Sequence, residues 1–137
     1  MMKIPELLHE VDTPPVGIRG SLLRKHEMAF VRRAVEVVQG HIADPEFDTI
    51  TLSHELGYSR MHVNRRLQAT IGCSTRAFIR FLRMRCARRL LEHEDLTVSC
   101  VARSVGFRSL SHFSHVFKSI WGVSPTHFRR DEPAPIN

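Results

Sequence analysis

The sequence predicts an all-α protein built from two helix-turn-helix units joined by a long connector helix, and two observations support that prediction. The first is a stretch around Gly57 in which a short helical pattern, a glycine-containing turn and a second helical pattern follow one another. The second is that the same pattern occurs again around Gly106, at an offset of 49 residues before the turn and 50 after it. A fixed-offset match over about 30 residues indicates an internal repeat. The change of offset places one inserted residue in the second turn.

Length and composition exclude several classes of protein. A chain of 137 residues fits one domain or two very small ones. No run of 18 apolar residues predicts a membrane span, and no basic segment followed by an apolar one predicts a secretory signal. The three cysteines are an odd number without Cys-x-x-Cys spacing, which predicts reduced thiols in a cytoplasmic protein.

The basic charge is concentrated where the repeats lie. Residues 56–130 hold 14 basic and three acidic side chains, whereas residues 1–55 hold six basic and nine acidic ones. A basic surface that coincides with two helix-turn-helix units indicates a polyanionic partner rather than a solubilising face.

Taken in order, the chain begins with a predicted linker over residues 1–26, where prolines and glycines interrupt any helix. A helix is predicted from about residue 27 to 43, because apolar residues recur there at three- and four-residue spacing and Pro45 follows. The first helix-turn-helix unit is predicted at about 48–70, with Asp48 as the N-cap of its first helix.

The second helix of this unit has one apolar and one polar face. With Val63 at zero and about 100° per residue, Leu67 lies nearby on the wheel. Met61, Asn64, Arg65 and Gln68 cluster on the opposite side. A polar, basic outer face on the second helix is typical of a helix that reads DNA.

A connector helix is predicted at about 75–92, with Ser74 as its N-cap. At 1.5 Å per residue it spans roughly 27 Å, near the roughly 34 Å that separates successive major-groove faces on one side of B-DNA. The second unit is predicted at about 97–121. Its wheel places Phe113 and Phe117 inward and Ser111, Ser114, His115 and Lys118 outward. A short helix after Ser124-Pro125 and a tail over residues 132–137 complete the chain.

These residues resemble a known family. The resemblance rests on Val105-Gly106-Phe107, His112-Phe113-Ser114, Val116-Phe117-Lys118 and the block from Trp121 to Arg130. Together they are similar to the signature of the AraC/XylS family of bacterial transcription regulators, over about residues 28–130. The resemblance implies a seven-helix, bundle-like, all-α domain at 27–131, with two helix-turn-helix subdomains that bind promoter DNA in consecutive major grooves.

The resemblance also implies roles for individual residues. The base-reading residues would be Met61, Asn64, Arg65, Ser111, Ser114 and His115, the outward positions of the two wheels. Arg65 would pair with guanine, Asn64 with adenine, and Met61 would contact a thymine methyl. Backbone or flanking contacts would come from Ser59, Arg60, Gln68, Arg80, Arg83, Arg108, Ser109 and Lys118.

Two departures from the family pattern affect these roles. Ser114 and His115 stand where many members have arginine or another long polar side chain, so the first unit is expected to dominate base discrimination. The Asp44-Pro45-Glu46-Phe47 segment resembles output domains of response regulators and hybrid two-component sensors. We therefore expect the C-terminal output domain of a longer signalling protein, and the alternative is a free-standing small activator.

The partners implied are double-stranded DNA and RNA polymerase, with no membrane contact, and dimerisation through a domain outside this chain stays open. No cofactor is expected. An enzyme is disfavoured, because no nucleophile elbow, phosphate loop or paired acidic motif occurs. A metal site at His112 and His115 and a protein-interaction module are the weaker alternatives.

Overall fold

The computed structural model describes residues 22–93 and 95–131. This part of the chain folds into seven α-helices and contains no strand, as predicted. The helices are α1 (Leu22–Gly40), α2 (Thr49–Leu56), α3 (Arg60–Ile71), α4 (Thr75–His93), α5 (Val98–Ser104), α6 (Leu110–Trp121) and α7 (Pro125–Asp131). The predicted tail at 132–137 and the first 21 residues of the predicted linker lie outside the described residues.

The first helix is shifted towards the N-terminus relative to the prediction of about 27–43. It begins at Leu22, because no glycine or proline interrupts residues 21–39. It ends at Gly40, a weak helix former, and the next turn closes with His41 N–H donating to Val38 O at 3.0 Å. Residues 22–26 are therefore helical and not part of a linker.

The chain divides into two compact units, each with its own core. The described part of the first unit is residues 22–41 and 47–79, and thus α1, α2, α3 and the first turn of α4. Its core includes the apolar face of α1, on which Val35 is buried and Val37 is half-buried. The fully buried members of this core are Val31, Ala34, Val38, Leu52, Val63, Leu67 and Phe78.

The described part of the second unit is residues 42–46, 80–93 and 95–131, and thus the rest of α4 with α5, α6 and α7. Trp121 is half-buried at the end of α6, with its indole N–H donating to Met84 O at 3.1 Å. The core of this unit consists of Met84, Ala87, Leu91, Val101, Ala102, Val105, Phe113, Val116 and Phe117.

Side-chain caps start the helices where the sequence predicted them. Asp48 accepts from Thr51 N–H at 3.0 Å at the start of α2. Ser74 accepts from Ala77 N–H and Ser124 from His127 N–H, each at 3.1 Å, at the starts of α4 and α7. A cap removes one of the unpaired N–H groups of a first turn, which fixes where each helix begins.

The turns of the two units differ by the one residue that the offsets predicted. Gly57-Tyr58-Ser59 connects α2 to α3, and the corresponding stretch before α6 is Gly106-Phe107-Arg108-Ser109. Both glycines have positive φ, 81° and 85°, which any side chain with a Cβ adopts only with strain. The inserted residue is therefore Arg108.

Candidate nucleic-acid interface

The outer face of α3 carries three exposed side chains in a row. Met61 is 72% exposed, and Arg65 and Gln68 are also exposed, whereas Val63 and Leu67 are fully buried. Among the described residues Arg65 has no hydrogen-bond or ion-pair partner. The inward and outward positions predicted from the wheel are thus confirmed for these residues, and their contacts with DNA stay predictions.

Asn64 is only half-exposed, because its side chain is held by the start of α4. Its Oδ1 accepts from Thr75 N–H at 3.1 Å and lies 3.5 Å from Thr75 Oγ1. A bidentate contact with adenine needs the amide as both acceptor and donor. One lone pair of Oδ1 is already used by Thr75. Asn64 therefore connects α3 to α4, in addition to its predicted contact with a base.

The corresponding face of α6 carries shorter side chains. Ser111, His115 and Lys118 are exposed and Ser114 is half-buried, while Phe113 is fully buried. The repeat therefore presents the same positions in both units. The hydrogen-bonding reach of the side chains is greater on α3 than on α6.

Ser59 and Ser109 were predicted to contact the DNA backbone, and both are N-caps. His62 N–H donates to Ser59 Oγ and His112 N–H donates to Ser109 Oγ, each at 3.1 Å. A serine hydroxyl that accepts such a bond still has its own proton to donate. The cap therefore orients each hydroxyl without removing its ability to bind a phosphate oxygen.

Arg83 was predicted to contact the DNA backbone, and the structure contradicts this. Its side chain is 7% exposed, and its guanidinium donates to Val105 O at 2.9 Å, to Asp44 O at 3.0 Å and to Ile42 O. Burial lowers the pKa of Arg83, and the nearby charge of Asp44 opposes that shift. The side chain binds three backbone carbonyls of the second unit, two from residues 42–44 and one from Val105, and is not available to a phosphate.

Arg108, the inserted residue, forms an ion pair across the surface of the second unit. Its Nη2 donates to Glu46 Oε1, and both side chains are about 70% exposed. The predicted phosphate contact of Arg108 therefore requires that Glu46 be released first. Arg60 and Arg80 make no hydrogen bond or ion pair to a described residue.

Two further residues at these surfaces were not predicted. Leu110 is 46% exposed in the first turn of α6, at the repeat position of Arg60. Arg76 is exposed in the first turn of α4 and lines a groove beside α3. The signal for Arg76 was its position two residues after the predicted N-cap Ser74.

The three cysteines differ in exposure, since Cys73 is buried, Cys86 is half-buried and Cys100 is exposed. Cys73, Cys86 and Cys100 are free thiols, and burial raises the pKa of Cys73 to about 11, so that thiol stays protonated at neutral pH. In the described ranges no three His, Cys, Asp or Glu side chains are grouped to hold a metal ion. No helix there is long and apolar enough to cross a membrane.

The comparison with curated proteins finds transcription regulators. The profile of the helix-turn-helix domain family matches residues 52–131. The transcriptional activator NphR of Rhodococcus sp. is 32% identical over 106 residues, which are 77% of this chain and 31% of NphR. The chain thus spans about a third of the length of this curated relative.

Two solved domains, each covered over most of its length, have the same fold as this chain. The C-terminal domain of AraT, a response regulator from Geobacillus stearothermophilus, superposes with a TM-score of 0.71 at 28% identity, covering 77% of this chain and 88% of that one. The DNA-binding domain of AdpA, a global transcriptional factor solved with a target DNA, superposes with a TM-score of 0.65 at 31% identity, covering 76% and 89%. The chain therefore belongs to the helix-turn-helix domain family, as an AraC-type DNA-binding domain.

Proposed function

We propose that this domain binds promoter DNA sequence-specifically, with α3 and α6 in successive major grooves. The observation that carries the proposal is the row of exposed side chains on α3, opposite its buried face, which have no hydrogen-bond or ion-pair partner among the described residues. Arg65 pairs with guanine O6 and N7, and Met61 contacts a thymine methyl. Asn64 acts mainly through its Nδ2, since Oδ1 accepts from Thr75 N–H.

The second unit contributes fewer base contacts in this proposal. Ser111, Ser114 and His115 form its base-reading face, and their side chains reach less far than those of α3. Arg60, Gln68, Arg80 and Lys118, with the hydroxyls of Ser59 and Ser109, contact phosphates. Such contacts fix the register of the domain on the duplex but carry no sequence information directly.

We further propose a role in signalling. The likeness to the AraT response-regulator domain supports an output domain of a two-component or hybrid regulator in the cytoplasm, with the domain at residues 27–131 extended by the helical residues 22–26. RNA polymerase is the proposed second partner, and the activator NphR supports this choice. A purified complex of polymerase, this protein and promoter DNA, compared with polymerase and DNA alone, tests the partnership.

Selection of bound duplexes from a random pool tests DNA recognition itself. We expect enrichment of one sequence in two short blocks about one helical turn apart, since the two recognition helices would read successive grooves. Affinity for that duplex and for a scrambled one is then measured at several salt concentrations. A protein-interaction module would give no enriched sequence and no negative slope of log K against log salt.

Replacing Arg65 with alanine should weaken binding to the selected duplex by about 1–3 kcal/mol, because a bidentate contact with one guanine is lost. Binding to the scrambled duplex should change little. Ser114→Ala changes the outer face of α6 instead and should cost little on either duplex. An equal loss for Arg65→Ala on both duplexes would make Arg65 a backbone contact.

Replacing Glu46 with glutamine should tighten binding to both duplexes, because Arg108 in the free protein would lose its ion pair and keep at most a weaker, neutral hydrogen bond. Exposed ion pairs are worth up to about 1 kcal/mol, so the gain should be no more than about fivefold. Glu36→Gln is the control, since it removes the same charge from an exposed position on α1. If both variants gain equally, the effect is one of net charge and not of the pair.

A further inference from the structure

An open groove lies beside the base-reading face of α3 within the first unit. It has a volume of about 520 Å³, and its walls are the first turns of α2, α3 and α4. Met61 and Asn64 form the wall that belongs to the recognition helix α3. Arg60 lines the groove from the start of α3, and Arg76 lines it from the start of α4. Because Met61 and Asn64 belong to both surfaces, a group bound in the groove lies next to the bases that α3 reads.

The side chains that line the groove carry a net positive charge. Two arginines and no acidic residue are among them. Neither Arg60 nor Arg76 has a hydrogen-bond or ion-pair partner among the described residues. Asp48, the N-cap of α2, accepts from Thr51 N–H and Thr51 Oγ1, each at 3.0 Å, and these bonds together with the charge of Arg60 lower the pKa of Asp48. The carboxylate of Asp48 therefore offsets part of the charge of Arg60, which leaves Arg76 as the stronger ligand for an anion.

The groove is also held in a fixed position relative to the recognition helix. The hydrogen bond from Thr75 N–H to Asn64 Oδ1 joins the start of α4 to the middle of α3. Thr75 is itself buried and Asn64 is half-buried, so this contact is partly shielded from water. An anion placed by Arg76 would therefore set the position of Met61 and Arg65 above the base edges.

We infer that this groove binds one DNA backbone phosphate flanking the bases read by α3, with Arg76 as its principal ligand and Arg60 as the second. The inference rests on the proposed DNA-binding function and adds Arg76 to it as a residue that sets register. A guanidinium suits this task, because its fixed fork of donors matches two oxygens of a phosphate. The hydroxyl protons of Ser59 and Ser74 are the further donors at the groove.

The test compares Arg76→Gln and Arg60→Gln with a control, Arg89→Gln. Arg89 is an exposed arginine on α4, the helix of Arg76, and lies about 140° from Arg76 around the helix axis. Binding of each variant to the selected and scrambled duplexes is measured at several salt concentrations. We expect Arg76→Gln to weaken both complexes several-fold and to reduce the salt slope by about one, and Arg89→Gln to match wild type. Arg76→Lys should keep the slope and regain part of the affinity.

Single methylphosphonate substitutions along the selected duplex then identify the phosphate. At one position, or two adjacent ones, neutralising the phosphate should weaken wild type but not Arg76→Gln. If every position weakens both proteins equally, or if Arg76→Gln binds like wild type, the inference is overturned while the proposed function stands. If wild type itself selects no duplex, the proposed function fails instead. Thermal melting of Arg76→Gln should match wild type, because the side chain is exposed.

Discussion

Arg83→Ala is expected to lower the free energy of unfolding by roughly 3–5 kcal/mol. The variant leaves the carbonyl of Val105 buried without a donor and removes the bonds to Ile42 O and Asp44 O. An unsatisfied buried acceptor costs about 1–3 kcal/mol, and the lost side-chain packing adds to that. The measurement is urea unfolding of the purified protein followed by circular dichroism.

Arg89→Ala is the matched control for this prediction, since Arg89 is an exposed arginine on the same helix. It should change the free energy of unfolding by no more than about 0.5 kcal/mol. Under conditions where Arg83→Ala is still folded, the salt slope of its DNA binding should equal that of wild type. If Arg83→Ala were as stable as Arg89→Ala and its DNA binding had a shallower salt slope than wild type, Arg83 would be a phosphate contact, as the sequence predicted.

The buried position of Arg83 could not be predicted from the helical pattern of α4. Residues 81–84 are buried in succession, and four consecutive residues go once around a helix. No solvent-facing stripe therefore distinguishes Arg83 from Arg76 or Arg89 on a wheel. The partners of Arg83 lie 39 to 41 residues before it and 22 after it, and nothing in the local sequence pairs them.

Gly106 is a second case in which the sequence predicts only part of the structural reason for a residue. The sequence indicates a turn glycine by its repeat position, and its φ of 85° agrees. A Cβ at this position would also lie 1.8 Å from Arg83 Nη1 and 2.8 Å from Ile42 O. The turn could be predicted from local chemistry, whereas the second reason for glycine depends on where a distant arginine is placed.

The predictable part of the candidate site is the part that depends on periodicity. The orientation of α3 and α6 followed from apolar residues at three- and four-residue spacing, and the caps of α2, α4 and α7 followed from Asp48, Ser74 and Ser124 before those helices. The bond between Asn64 and Thr75 joins two helices across a turn, and the pair of Glu46 with Arg108 spans 62 residues. Such contacts can be predicted only from the tertiary structure, because nothing in the local sequence indicates that either polar side chain has a partner.

Phe117→Ala should lower the free energy of unfolding by about 3–5 kcal/mol through the cavity it leaves. The Phe117 ring is fully buried in the second unit, with the ring centroids of Phe113, Phe128 and Trp121 at 5.9, 5.8 and 6.5 Å. Three aromatic neighbours from α6 and α7 cannot close around an alanine without leaving their own positions. Urea unfolding measures the loss. The control is Lys118→Ala, which changes the exposed next residue and should stay within about 0.5 kcal/mol of wild type.

Hydrogen exchange resolved by residue should show the amides of α6 losing protection in Phe117→Ala, as expected if the cavity weakens the packing of this unit. Equal unfolding free energies for the two variants would mean that Phe117 is not the centre of this core.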